Sequence, residues 1–159
     1  MLKCSSIMYC FEFDQTICDC GERLNIFSRT IKTFHGGICI NPADFDIRWT
    51  IITNRPYIDK YLIKLYCVLH GLAPCDVITY NKISYPKSKD LGYQYKLNYF
   101  RSILDGKIKA KYTEMKVETI IHVCNDKDEN KYINMNNMKY PILSINSLDF
   151  KTNYFNMIV

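Results

Sequence analysis

No apolar run in this 159-residue chain approaches the roughly 20 residues needed to cross a bilayer, so no membrane partner is expected. No secretory leader is expected either: Lys3 is followed by Cys4, Ser5 and Ser6, and the apolar stretch at 7–11 is too short for the centre of a signal peptide. The eight cysteines therefore do not announce a stapled secreted fold, and a reducing, intracellular and cytoplasmic setting is expected. Cys10, Cys39, Cys67 and Cys124 mostly lie among apolar neighbours, where a thiol acts as a small hydrophobe. Cys18 and Cys20 form a C-x-C with no matching second pair, which argues against zinc. No G-x-G-x-x-G follows the first apolar stretch, so the dinucleotide fingerprint is missing. There is no internal repeat, no low-complexity tract and no piece the size of a second domain; residues 1–159 are read as one domain, long enough to bury a core without disulfides. The formal net charge of +5 is spread along the chain and permits a polyanionic partner without identifying one.

What is present is an alternation. Five short apolar stretches read as strands: 7–13 (IMYCFEF), 49–53 (WTIIT), 76–80 (DVITY), 119–124 (TIIHVC) and 140–145 (YPILSI). Their hydrophobicity is continuous, as in parallel strands covered on both faces. Between the second and third, Ile58, Leu62, Leu65 and Leu69 recur at helical spacing, with Pro56 in the first turn and Gly71 as the stop. Between the third and fourth, Tyr93, Leu97, Phe100 and Leu104 make a second stripe ending at Gly106. A further helix is expected around 24–34, and the Asn-rich 130–139 region reads as a polar helix or loop. Repeated βαβ units with right-handed crossovers give an α/β fold: a three-layer Rossmann-like sandwich on a mainly parallel five-stranded sheet, with no large cap domain.

Ligands of open α/β sheets bind beyond the carboxyl ends of the strands. The first strand exits through Glu12, Asp14 and Thr16, the second through Thr53, Asn54 and Arg55, and the fourth through Asn125 and Asp126, while Lys96 lies in the helix between the third and fourth. Any one of these is most often a solvated loop residue. Together, carboxylates from two strand ends, a hydroxyl from another and a lysine are the parts that hold Mg²⁺ and a phosphoryl group.

In this order the residues resemble the motifs of the haloacid dehalogenase-like (HAD) superfamily of phosphohydrolases. "FEFDQTI" is similar to its D-x-D-x-T strand end, "IITNRP" to its T-G-R-P strand end, Lys96 in "YKLNYFRSIL" to its helical lysine, with Lys89 as runner-up, and "IIHVCNDKDEN" to its acidic fourth motif. Gly36-Gly37 with Pro42, the aromatic-flanked Lys96 and the N-D-K-x-E-N ending look like the RNA-repair-associated "Swiss Army Knife" type of HAD domain. The resemblance implies a nucleophile at Glu12, a general acid–base at Asp14, phosphate contacts from Thr16, Thr53, Asn54, Arg55 and Lys96, and Mg²⁺ held by Glu12, Asp14 and Asp126.

The chain departs from the pattern where the nucleophile should be aspartate. Glu12 adds a methylene and displaces the attacking oxygen by about an ångström, a misplacement that can cost ~10²-fold in rate. Asn125 removes a second charge. Two readings stay open: a capless Mg²⁺-dependent phosphohydrolase with a degraded nucleophile position, and a HAD-like binding or interaction module without catalysis. The short 18–48 and 81–92 segments leave little room for a cap, so the expected partner is a phosphorylated macromolecule, with nucleic acid favoured by the basic balance.

His122, inside a strand, reads as a packed core residue, and His70 as a cation at a helix end. His35 is the histidine placed to approach the site. Tyr85, Tyr93 and Tyr95 offer stacking surfaces near Lys96.

Overall fold

The computed structural model describes residues 6–20, 25–110 and 116–158, and side chains as far as residue 153. Lys3 to Ser5, on which the expectation of no signal peptide rests, lie outside the described residues. Five strands, β1 (Ile7–Phe11), β2 (Trp49–Pro56), β3 (Val77–Tyr80), β4 (Thr119–Val123) and β5 (Ile142–Ile145), form one sheet in the order β3-β2-β1-β4-β5. All pairs are parallel, and Tyr9 of β1 sits in register with Trp49 on one side and Ile121 on the other. β1 is thus the central strand.

Alternate residues of β1 feed two cores, because successive side chains of a strand point to opposite faces. Tyr9 and Phe11 join Ile63, Tyr66 and Phe150 on one face; Met8 and Cys10 join Leu97, Phe100 and Ile133 on the other. The first face is covered by α1 (Ile26–His35), α2 (Lys60–Leu69) and α5 (Ser147–Ile158), the second by α3 (Lys89–Leu104) and α4 (Lys127–Asn136). This is the three-layer α/β sandwich with an all-parallel sheet. None of the helices among the described residues is long and apolar enough to cross a membrane.

The helix ends follow local chemistry. Asn25 caps α1 by accepting from the Ser28 N–H at 2.9 Å, and Ser88 caps α3 by accepting from Leu91 N–H at 3.2 Å. Gly71 and Gly106 follow α2 and α3 with φ of +67° and +75°, a conformation glycine adopts without strain.

Three local expectations differ from the structure. Pro56 ends β2 rather than opening a helix, and a 3₁₀ turn at Tyr57–Asp59 precedes α2. Of the expected α2 stripe, Ile58, Leu65 and Leu69 face outward, while Ile63, Tyr66 and Cys67 are buried. α2 is apolar on nearly every side, so periodicity cannot choose its inner face; Tyr66 does, its hydroxyl donating to the Gly36 carbonyl at 3.1 Å. α5 has no counterpart in the sequence reading. It is anchored by Phe150, whose ring meets those of Phe11 and Phe45 at 5.5 and 4.8 Å. Asn146 starts this helix by accepting from the Leu148 N–H at 2.9 Å.

Candidate functional site

The chain leaves β1 for β2 and β3, then returns from β3 to β4 on the other side of β1. The crevice beyond the ends of β1 and β4 is therefore the switch point where such sheets bind ligands. A cleft of about 520 Å³ opens there, lined among others by Glu12, Asp14, Thr53, Asn54, Arg55, Tyr85, Lys89, Tyr93, Asn125 and Asp126.

β1 runs out at Phe11, and the turn that follows aims the carboxylates. The Phe13 carbonyl accepts from the N–H groups of Ile17 and Cys18 at 3.1 and 3.0 Å, and Gln15 is left-handed at φ 60°. A non-glycine residue there stores strain, a feature that clusters at functional sites. Thr16, fully buried, does not face the cleft; its Oγ1 accepts from the Asn125 N–H at 3.1 Å and ties the β1 and β4 exits together.

Glu12 heads a buried relay of charges. Its Oε1 accepts from the Phe13 N–H at 3.0 Å and its Oε2 from Lys96 Nζ. Lys96, wholly buried in α3, also donates to Glu129 Oε1 at 2.7 Å, and Glu129 Oε2 lies 2.7 Å from His122 Nε2. Burial pushes the Glu12 carboxyl up to about 7 against the pull of Lys96, with Glu129 and Asp14 adding to the rise. Burial also pushes Glu129 up, but Lys96 and His122 outweigh it and hold that carboxyl below its ordinary range. Burial favours neutral His122 and lowers its pKa despite Glu129. Lys96 stays charged: desolvation opposes the ammonium, and the two flanking carboxylates prevail.

Asp14 sits in a second network. Arg55 Nη2 donates to its Oδ1 at 2.6 Å and Arg55 Nε to its Oδ2 at 3.0 Å, while the Cys20 thiol donates to Oδ1 at 3.2 Å. Arg55 is wholly buried and also donates through Nη1 to Thr33 Oγ1 at 2.9 Å. Behind it, Arg29 grips Asp59 with Nε and Nη2 at 2.5 and 2.7 Å. Arg55 thus lines the cleft with its charge already engaged.

Asp126 caps α4, its Oδ1 accepting from the Asp128 and Glu129 N–H groups at 2.9 and 3.3 Å, and its Oδ2 accepts from the Tyr93 hydroxyl at 2.9 Å. Thr53 is buried at the cleft wall with its Oγ1 accepting from the Arg55 N–H at 3.2 Å. Next to it, the buried Asn54 Oδ1 has no hydrogen-bond partner among the described residues. Gly92 makes room for that side chain: a Cβ there would come within 2.5 Å of Asn54 Nδ2. Asn54 lines the same cleft as the carboxylates of Glu12, Asp14 and Asp126, oxygen groups of the kind a hard cation takes, although Lys96 and Arg55 already set cations against the first two.

Lys96 is the lysine that reaches Glu12, and exposed Lys89 stands on the cleft wall. Tyr85 and Tyr93 line the cleft, whereas Tyr95 donates to the Thr79 carbonyl at 2.9 Å and His35 is exposed at the end of α1, outside the lining. His122 is buried in β4 and joined to Glu129. Ligand-type atoms of His122, Cys124 and Glu129 lie within 4.8 Å of one another, a grouping able to hold an ion, although Lys96 already sets a cation against Glu129.

Sequence reasoning saw Glu129 only as part of the N-D-K-x-E-N ending, without a role, and missed the Tyr93 hydroxyl contact and the Arg29–Asp59 pair. Glu129 carried a signal: it stands three residues after a helix-capping aspartate, where the first turn is fixed by the cap. The other two join distant segments and have none. Against protein-family models, curated proteins and solved structures the chain finds no match. The HAD resemblance therefore rests on the motifs alone.

Proposed function

We propose that the chain is a HAD-like, Mg²⁺-dependent phosphohydrolase acting on a phosphate at the end of a macromolecule, with a polynucleotide favoured. The observation that carries the reading is the pairing of cleft-lining Glu12 with buried Lys96, with Asp14, Thr53 and Asp126 on the same walls. Mg²⁺ would be held by Glu12, Asp14 and Asp126, and would supply charge neutralisation for the phosphate oxygens. Asn54 Oδ1 offers a further acceptor. Glu12 is the carboxylate that would attack phosphorus, and it does so only when ionised. Lys96 keeps a fixed positive charge beside it. Thr53 and Lys89, on the cleft walls, would meet phosphoryl oxygens, and Asp14 would move the proton of the leaving group.

One observation favours the second reading, a binding module without turnover. Both oxygens of Asp14 are engaged by Arg55, which leaves the acid–base group little freedom to exchange a proton. The assay that separates the two is phosphate release from a 5′- or 3′-phosphorylated oligonucleotide, with Mg²⁺ and with chelator. Release that requires Mg²⁺ and is absent with sugar phosphates supports the phosphohydrolase. Release from sugar phosphates alone overturns it, and tight oligonucleotide binding without release supports the module.

A further inference from the structure

Helix α1, on the sheet face it shares with α2 and α5, is turned inside out. On α1 the buried residues are polar: Arg29 pairs with Asp59 and Thr33 receives Arg55. Its apolar residues Ile26, Phe27, Ile31 and Phe34 face outward, Phe27 at 74 % exposure. A helix whose inner positions are taken by an ion-pair network has only its outer face left for hydrophobic side chains. α2 adds to the same surface. Tyr61 is 80 % and Val68 74 % exposed, with Leu65 and Leu69 beside them. The helices are neighbours, joined by the Arg29–Asp59 pair and the Tyr66–Gly36 hydrogen bond. Large apolar side chains exposed on two neighbouring helices are surface of the kind that serves interaction.

Charge says what fits it. Neither α1 nor α2 contains a carboxylate, and Asp59 just before α2 is buried in its ion pair, whereas Lys32, His35 and Lys64 are exposed. A second copy of the same face would set lysines against lysines. The anchors Phe27, Ile31 and Phe34 on α1 and Tyr61, Leu65 and Val68 on α2 recur at three- and four-residue spacing, the spacing read by a helix laid between two others. We infer that the outer face of α1 and α2 is a docking surface for an acidic amphipathic helix of a partner protein. The apolar side of that helix covers Phe27 and Tyr61, and its flanking carboxylates meet Lys32 and Lys64.

The inference is independent of phosphatase chemistry, and its test does not use activity. The probe is a labelled amphipathic peptide of about 18 residues, five helical turns, with leucine on one face and glutamate beside it. A twin with lysine in place of glutamate and a scrambled-order glutamate peptide are the controls. Fluorescence anisotropy with the full chain is expected to show saturable binding of the glutamate peptide alone, weakening as salt is raised past about 0.1 M. Phe27→Ser and Tyr61→Ser are each expected to weaken it by about tenfold. Both positions are exposed, so melting curves of the variants should match the parent and separate lost docking from lost folding. Equal binding of the lysine or scrambled peptide, no binding of the glutamate peptide, or affinity unmoved by both substitutions overturns the inference. So does uptake of the chain by phosphatidylserine vesicles in preference to the peptide, or concentration-dependent dimerisation that both substitutions abolish.

Discussion

Arg55 closes on Asp14 with two nitrogens, Nη2 2.6 Å from Oδ1 and Nε 3.0 Å from Oδ2, and the guanidinium is wholly buried. A desolvated pair of this kind is fragile to the loss of one member, because the survivor keeps its charge without its partner. Arg55→Met is expected to lower the unfolding free energy by about 3–5 kcal/mol in urea titrations. Asp14→Asn added to it should recover part of that loss. A single-variant loss below about 1 kcal/mol would mean that the pair behaves as an exposed one.

Glu12 makes stability depend on pH. Its carboxyl is pushed from 4.5 up to about 7 by burial, against the pull of Lys96, so between those values the folded state keeps a proton that the unfolded chain releases. The stability this confers is complete below about pH 4.5 and is lost as pH rises through about 7, a change of about 3 kcal/mol. His122 contributes the opposite trend, since its lowered pKa makes it a liability as pH falls below its ordinary value. Comparison of the parent with Glu12→Gln isolates the Glu12 part: the variant should gain on the parent from about pH 4.5 and level off above about pH 7. A difference that stays constant over that range would show that Glu12 is not desolvated. Under the proposed function the ionised carboxylate is the reactive form, so phosphate release should climb with pH through about 7.

Under the proposed function magnesium should stabilise the fold by mass action, by about 2.7 kcal/mol at a hundred times its dissociation constant. Asp126→Asn is the informative control, because asparagine caps a helix as well as aspartate does and α4 should survive. The melting temperature of the variant without metal should stay close to the parent, while the Mg²⁺-induced rise disappears. A parent melting curve indifferent to high Mg²⁺ would remove the metal from the site.

The extra methylene of Glu12 can be tested directly. If the pocket is built around the longer side chain, Glu12→Ala abolishes turnover of an aryl phosphate and Glu12→Asp lowers it. If Glu12 is a relic, Glu12→Asp raises turnover above the parent, by up to ~10²-fold, and Glu12→Ala changes little. Three inert proteins that still bind Mg²⁺ would leave the binding-module reading alone standing.

Much of the site's parts list was legible because it depends on short-range pattern. Continuous apolar runs mark the strands, their ends mark the carboxyl edge of the sheet, and Glu12, Asp14 and Asp126 are found just past those ends, with Thr53 three residues inside the end of β2. Lys96 lies three residues past Tyr93 on the inner stripe of α3, and both are buried. What these residues touch was not legible. Asp14 and Arg55 are 41 positions apart, and Lys96 and Glu12 are 84 apart, so their pairing follows from sheet order and helix placement.

The sequence by itself determined that this chain is an α/β sandwich with a polar strand edge, since period and composition act over a few residues and need no distant partner. Tertiary structure decided which side of each helix faces in. The spacing of Ile26, Phe27, Ile31 and Phe34 specifies an amphipathic helix, yet their side of α1 is left in the open, because Arg29 and Thr33 are claimed by Asp59 and Arg55 from other segments. A buried charge must meet its partner or lose far more than a phenyl ring loses by staying exposed, and that comparison can be made only when the segments have come together.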